Sequence, residues 1–195
     1  MFFWLIKILC YIPFWLLFPV VFKGKKIPKG KVVLISNHIS NCDPLILLNM
    51  IWRSQYVISK KELFKSKIGN AFFRGMKAIP IDREKVEIST IKQSLSVLKK
   101  DKILTIFPEG TRNKTDKPLL EIKNGASIFA YKANAPIIPV WFSRKPKLFR
   151  FTKVYVGEPF YITKDNFDNA GEVMTEKLLE LRNISQQKKH NKNSK

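Results

Sequence analysis

A chain of 195 residues fits one α/β domain of ordinary size with short appendages, large enough to bury a full core without disulfides. Its 36 Lys and Arg against 15 Asp and Glu give a formal charge of +21, a field that draws polyanions: nucleic acid, anionic lipid or phosphorylated metabolites. The two cysteines, Cys10 and Cys42, form neither a disulfide framework nor the clustered spacing of a zinc site, so a reducing, cytoplasm-facing location is the simpler inference.

Residues 1–22 read MFFWLIKILCYIPFWLLFPVVF, with eight aromatic residues and Lys7 as the only charge. Only 15 uncharged residues, Ile8 to Phe22, follow Lys7, and Pro13 and Pro19 interrupt them. That is short of the ~20 apolar residues of a straight span. No small-residue cleavage site follows, which argues against a signal peptide. Lys23, Lys25, Lys26, Lys29 and Lys31 come next, and Asp43 is the first acidic residue. Such a collar favours anionic headgroups by ~1 kcal/mol per lysine near the surface. The segment therefore predicts a membrane anchor over residues 1–22, either one tilted span or a broken helix lying in one leaflet. The collar would hold the following domain on the cytoplasmic face of the cell membrane. The alternative is an aromatic-rich core helix of a soluble protein. Nucleic-acid binders interleave stacking aromatics with basic residues. Here the aromatics come first and the lysines follow, so nucleic acid is not the expected partner.

From Lys31 onward, β-rich runs alternate with amphipathic ones. Val32–Ser36, Tyr56–Ser59, Ala78–Ile81, Ile103–Phe107, Ile137–Phe142 and Val154–Val156 read as strands. Ile88, Ile91, Leu95 and Leu98 mark a helix stripe, and Ala126, Phe129, Ala130 and Ala133 mark another, ended by Asn134-Ala135-Pro136. Met174, Leu178 and Leu181 suggest a last helix. The pattern predicts a single α/β domain over residues 23–185, with a central mixed sheet flanked by helices. The basic tail, residues 186–195 (QQKKHNKNSK), reads as disordered.

Two motifs follow predicted strands, where ligands of open α/β sheets gather. The first is Asn37-His38-Ile39-Ser40-Asn41-Cys42-Asp43. His38 is one of two histidines, the other being His190 in the tail, and imidazole alone titrates unperturbed near neutral pH. Asp43 either caps the helix that Pro44 would start, or fixes the tautomer of His38 so that its other ring nitrogen can take a proton; the two roles are compatible. The second motif is Phe107-Pro108-Glu109-Gly110-Thr111-Arg112. Arg112 can grip a phosphate bidentately, while Thr111 and backbone amides near Gly110 add donors to an anion. Each motif alone has a bland explanation, a structural histidine or a solvated turn. Between them, Gly75-Met76-Lys77-Ala78-Ile79-Pro80-Ile81-Asp82-Arg83 sets another arginine just after a strand.

Together these blocks resemble the PlsC-type glycerolipid acyltransferase family. NHISNCD (37–43), GMKAIPIDR (75–83), FPEGTR (107–112) and APIIPV (135–140) occur in the family's order and spacing, and Lys61-Glu62-Leu63 also fits its pattern. The likeness covers roughly residues 30 to 160. Cys42 departs from it, standing where the family often has a bulky residue. The resemblance implies a glycerol-3-phosphate acyltransferase-like fold and a catalytic His38–Asp43 pair. It also implies that Arg83, Glu109, Gly110, Thr111 and Arg112 hold the phosphate and glycerol of the acceptor. The implied reaction moves an acyl group from a thioester to the free sn-2 hydroxyl of 1-acyl-sn-glycerol 3-phosphate, giving phosphatidic acid for phospholipid biosynthesis. No bound cofactor or metal is called for. Acyl-CoA or acyl-acyl carrier protein is a co-substrate, and acyl carrier protein and anionic membrane lipid are the expected partners.

Three rivals keep their own signatures. An enzyme of the same superfamily would acylate glycerol 3-phosphate or another lysolipid. A membrane-tethered basic binding protein would survive loss of His38 and release its partner as salt rises. A serine esterase would want a Gly-x-Ser-x-Gly elbow, which the sequence lacks.

Overall fold

The computed structural model describes residues 2–82 and 87–193. Helix α1 (Phe2–Leu17) runs through Pro13 and stops before Pro19, where the ring disfavours helical backbone in the preceding residue. Strand β1 (Val20–Gly24) follows, then β2 (Val32–Ser36), α2 (Cys42–Met50) and β3 (Gln55–Lys60). A 3-10 turn (Lys61–Phe64), α3 (Lys67–Gly75), β4 (Ala78–Ile81), α4 (Ile88–Lys99) and β5 (Ile103–Ile106) come next. The chain closes with α5 (Gly125–Ala133), β6 (Ile137–Phe142), β7 (Thr152–Val156) and α6 (Ala170–Asn193).

The strands form one seven-stranded sheet in the order β1-β7-β6-β2-β5-β3-β4. All neighbours pair in parallel except β6 with β7, so β1 and β7 run against the other five and the sheet is mixed. Successive side chains of a strand point to opposite faces, and the core divides accordingly. Val33, Ile35, Leu104 and Ile106 pack under α4, α5 and α6 with Leu98, Phe129, Met174 and Leu178. Val32, Leu34, Ile103 and Ile138 pack on the other face with Ile46 and Leu47 of α2, beneath Phe14 and Phe18. On α4 the buried residues are Thr90, Ser94, Val97 and Leu98, while Ile88 lies exposed, so the inward stripe is rotated from the expected one.

Three expectations change with the structure. Residues 20–22, expected in the anchor, belong to edge strand β1, which pairs with β7 from Val20↔Thr152 to Gly24↔Val156. Helix α1 has 16 residues, about 24 Å at 1.5 Å per residue, against a hydrocarbon core of ~30 Å. Among the described residues no helix is long and apolar enough to cross a membrane, so the tilted-span form of the anchor finds no support. Helix α6 continues to Asn193, through residues whose lysines and lack of apolar stripe read as unordered.

Helix α1 docks on α2 through a residue that interrupts its apolar run. Lys7 is buried and its ammonium donates to the carbonyl of Ile51, the C-cap of α2, where the helix dipole favours a cation. The ammonium also lies 5.3 Å from the Trp4 ring and 5.5 Å from the Trp52 ring, within cation–π range. Burial, helped by the nearby charge of Lys77, lowers its pKa to about 8.

Candidate active site

Strand register brings the two motifs together. Ile35 of β2 pairs with Ile106 of β5 in parallel, so three residues further along each strand His38 comes beside Glu109. The His38 backbone N–H donates to Glu109 Oε1 at 2.7 Å, and the Asn113 N–H donates to the His38 carbonyl at 2.7 Å. The other side of the loop is fixed to β6. The Asn37 side chain accepts from the Phe142 N–H at 2.8 Å and donates to the Phe142 carbonyl at 3.3 Å. These contacts span 71 and 105 residues of sequence and hold the His38 backbone from both flanks.

Asp43 lies fully buried in the first turn of α2. Its Oδ2 accepts from the backbone N–H groups of Ile39 and Ser40, each at 2.7 Å, and lies 3.0 Å from His38 Nδ1. In a neutral imidazole paired with a carboxylate acceptor, this contact would place the proton on Nδ1 and leave Nε2 with its lone pair. The Phe107 ring lies 4.3 Å from the imidazole at 32° and limits its rotation. The capping expectation for Asp43 is corrected. The helix starts at Cys42, before Pro44, with Asn41 as N-cap, and the carboxylate turns back to the loop instead of capping. Its Oδ1 accepts no hydrogen bond from the described residues.

Pro108 and Glu109 form the centre of a turn closed by the Gly110 N–H on the Phe107 carbonyl at 3.0 Å. Gly110 has φ +67, and a Cβ there would meet Lys123 Cδ and Cε at 3.2 Å. Glycine thus serves both the left-handed backbone and the close passage of the lysine stem. Glu109 is buried at 4% exposure and does not line the cavity; besides the His38 N–H it receives the Leu120 N–H on Oε2 at 2.8 Å. Burial raises its pKa, with the two amide donors opposing the rise. The carboxylate expected to face the acceptor thus braces the loop that carries His38.

Beside these residues a cavity of about 750 Å³ opens, within the ~300–1,000 Å³ usual for small-molecule sites. Its polar lining comprises His38, Asn41, Ser59, Lys60, Gly110, Thr111, Arg112 and Lys123. The rest of its wall is mostly apolar, including Leu45, Leu48, Val57, Leu63, Met76 and Ile81. Phe72 and Phe73 of α3 also line it, and α3 buries no residue. Arg112 and Lys123 make no ion pair among the described residues. Arg83 lies outside the described residues. Sequence reading missed Lys123, which sits 13 positions beyond Gly110 without a motif of its own. It is brought back by its N–H donating to the Pro108 carbonyl at 2.9 Å. Phe107, expected as a strand end and the first residue of the second motif, has its ring against His38.

The family model described as Acyltransferase matches residues 19–143. A relative from Bacillus subtilis (strain 168) named 1-acyl-sn-glycerol-3-phosphate acyltransferase is 33% identical over 140 residues, covering 66% of this chain and 69% of the relative. A Streptococcus pneumoniae (strain ATCC BAA-255 / R6) protein of the same name is 35% identical over 113 residues, 57% of this chain and 41% of its own length. The chain thus spans well under half of that second relative. The crystal structure of the 1-acyl-sn-glycerophosphate (LPA) acyltransferase PlsC from Thermotoga maritima superposes with a TM-score of 0.68 at 23% identity, over 96% of this chain and 79% of that one. That likeness shows the shared fold.

Proposed function

Because the chain belongs to the Acyltransferase family, we propose that it acylates the free sn-2 hydroxyl of 1-acyl-sn-glycerol 3-phosphate from an acyl thioester, giving phosphatidic acid. The observation that carries the chemistry is a histidine oriented by a buried carboxylate, opening on a cavity lined by cations as well as by many apolar side chains. His38 Nε2 takes the hydroxyl proton as the oxygen attacks the thioester carbonyl. The tetrahedral intermediate then expels the thiolate, which recovers a proton from the imidazolium. No acyl-enzyme forms, and a base of this kind contributes ~10²–10⁴-fold in rate. Asp43 stays ionised throughout and stabilises the imidazolium.

Arg112 and Lys123 clamp the acceptor phosphate, Arg112 in a fork and Lys123 as a point charge, which holds the hydroxyl against His38. We assign Arg83 the same task on the basis of its motif. Thr111 and Gly110 line the phosphate end. The apolar wall from Leu45 to Phe73 takes the acyl chain. Glu109 positions His38 through the backbone and does not touch substrate. The reaction needs no bound cofactor; the thioester, carried by coenzyme A or acyl carrier protein, is a co-substrate.

Helix α1 supports membrane attachment in one leaflet. Leu5, Ile8, Leu9, Ile12 and Leu16 recur at helical spacing and all are more than half exposed, while Lys7, Phe14 and Phe18 face the domain. The outward stripe enters the acyl boundary, the lysines of residues 23–31 meet anionic headgroups, and the domain stays on the cytoplasmic face.

The test is acyl transfer by the purified full chain, offered lysophosphatidate or glycerol 3-phosphate with acyl-CoA or acyl-acyl carrier protein. Phosphatidate should form from lysophosphatidate and be abolished in a folded His38→Ala variant; unchanged turnover in that variant would sink the mechanism. Arg112→Ala and Lys123→Ala should raise the acceptor KM about tenfold or more, the equivalent of ~1.4 kcal/mol each.

A further inference from the structure

The loop from β6 to β7, residues 143–151, is built unlike a solvated connection. Leu148, Phe149 and Phe151 are 56%, 73% and 58% exposed, three large apolar side chains within four positions. Arg144, Lys145, Lys147 and Arg150 surround them, and no acidic residue occurs between Glu121 and Glu158. The base of the loop is closed by the Ser143 N–H on the Lys153 carbonyl at 3.0 Å and by the Arg144 guanidinium on the Phe151 carbonyl. Its tip is a turn closed by the Arg150 N–H on the Lys147 carbonyl at 3.2 Å, with Phe149 in third place at φ +57. That left-handed position favours Gly or Asn, and a phenylalanine is strained there. Strain kept at an aromatic that stays 73% exposed points to something outside the domain.

The place of the loop says what it meets. The Phe149 N–H donates to the Leu17 carbonyl and the Thr152 N–H to the Pro19 carbonyl, both at 2.8 Å, so the loop is tied to the end of α1, a helix that carries its own exposed apolar stripe. It begins one residue after Phe142, the partner of Asn37, and so lies at the same end of the sheet as His38. A second copy of this chain would bring like charges together at this patch. An apolar tip ringed by cations fits an anionic bilayer surface. We propose that residues 143–151 form a second bilayer contact, inserting Leu148, Phe149 and Phe151 below the headgroups while Arg144, Lys145, Lys147 and Arg150 bind lipid phosphates. Two contacts, α1 and this loop, fix the orientation of the domain where one helix alone would let it swing. The carboxyl end of β2 is then held against the surface, so a lipid acceptor can reach His38 without leaving the bilayer. The inference rests on the reading of α1 as lipid-facing.

Co-flotation of the full chain with phosphatidylcholine vesicles, with and without phosphatidylglycerol, separates the possibilities. The Leu148→Ser/Phe149→Ser/Phe151→Ser variant should partition about tenfold or more weakly onto the anionic vesicles, since binding scales with the apolar area buried. Phe149→Gly alone should also weaken binding while leaving Tm equal or higher, because glycine relaxes that backbone position. The triple variant should keep turnover on a short-chain, monomeric lysophosphatidate and lose it on acceptor embedded in vesicles. Flotation of the triple variant at wild-type level overturns the proposal. So does binding that needs phosphatidylglycerol but ignores the three apolar side chains, which would mark a purely electrostatic contact with no insertion. Wild-type protein that does not float overturns the lipid-facing reading of α1 as well. Intact flotation with no acyl transfer would overturn the proposed function alone.

Discussion

Replacing Glu109 by Gln tests whether this carboxylate braces the loop that carries His38 or binds substrate. The side chain is 4% exposed and accepts two backbone N–H groups, from His38 at 2.7 Å and Leu120 at 2.8 Å. Glutamine keeps the shape but has one acceptor oxygen, so its amide group must face one of those donors. A buried N–H left without an acceptor costs about 1–3 kcal/mol, and the remaining bond loses its charge assistance. Relief from burying a charge offsets part of this, which leaves a loss of about 2 kcal/mol. For a chain of this size that lowers Tm by roughly 4–8 °C. One of the two donors is the His38 N–H and the other helps to fix the same turn, so kcat should fall while the acceptor KM stays within about twofold. Thermal melts by circular dichroism and steady-state kinetics measure both. An unchanged Tm with a raised KM would refute the reasoning and return Glu109 to the acceptor. Linkage adds a sign to check. Burial holds the Glu109 pKa above its unfolded value, so this carboxyl's contribution to stability is full at acid pH and is lost as pH rises through the folded value. The stability gap between wild type and Glu109→Gln should therefore narrow from acid to neutral pH.

Asp43→Asn keeps the size of the side chain but weakens three hydrogen bonds that converge on Oδ2 and removes the charge facing the imidazolium. kcat should fall by ~10²-fold or more with little change in acceptor KM, and a KM effect alone would count against the pair. Lys7 has its pKa lowered to about 8 from 10.5 by burial, so the unfolded chain holds the extra proton between those values. The stability of wild type relative to Lys7→Met should rise by roughly 3 kcal/mol across that window, read by denaturant unfolding at its two ends; a flat difference would show that Lys7 is solvated. Gly24→Ala would put a Cβ 2.1 Å from the Val156 carbonyl oxygen at φ +98. It should destabilise the protein by about 2 kcal/mol or more by loosening β1 from β7, and amide exchange confined to residues 20–24 would locate the loss.

Much of the fold was legible because its signals are local. The strands at 32–36, 78–81 and 137–142 and the helix stripes of α5 and α6 follow from alternation and three-four spacing read over a few residues. The candidate site was legible for a related reason: His38 and Asp43 are five residues apart, and Glu109 to Arg112 occupy a single turn. β1 escaped because VVF continues the apolar run before it, and nothing within five residues says that Val20 will meet Thr152. Lys7 looked like a charge breaking an anchor. Only the docking of α1 against the end of α2 gives its ammonium the Ile51 carbonyl and the rings of Trp4 and Trp52.

By itself the sequence determined the α/β class, the histidine with its nearby carboxylate, the cationic turn and the apolar, lysine-collared N-terminus, because each is written in neighbouring residues. The tertiary structure decided the rest. It made Glu109 a brace, brought Lys123 back over Gly110, lined the cavity with Phe72 and Phe73, and set the β6–β7 loop beside the end of α1. Those outcomes depend on strand register and on contacts across as many as 105 residues of chain. Side-chain chemistry fixes what a group can do, and only the packed chain fixes what it faces.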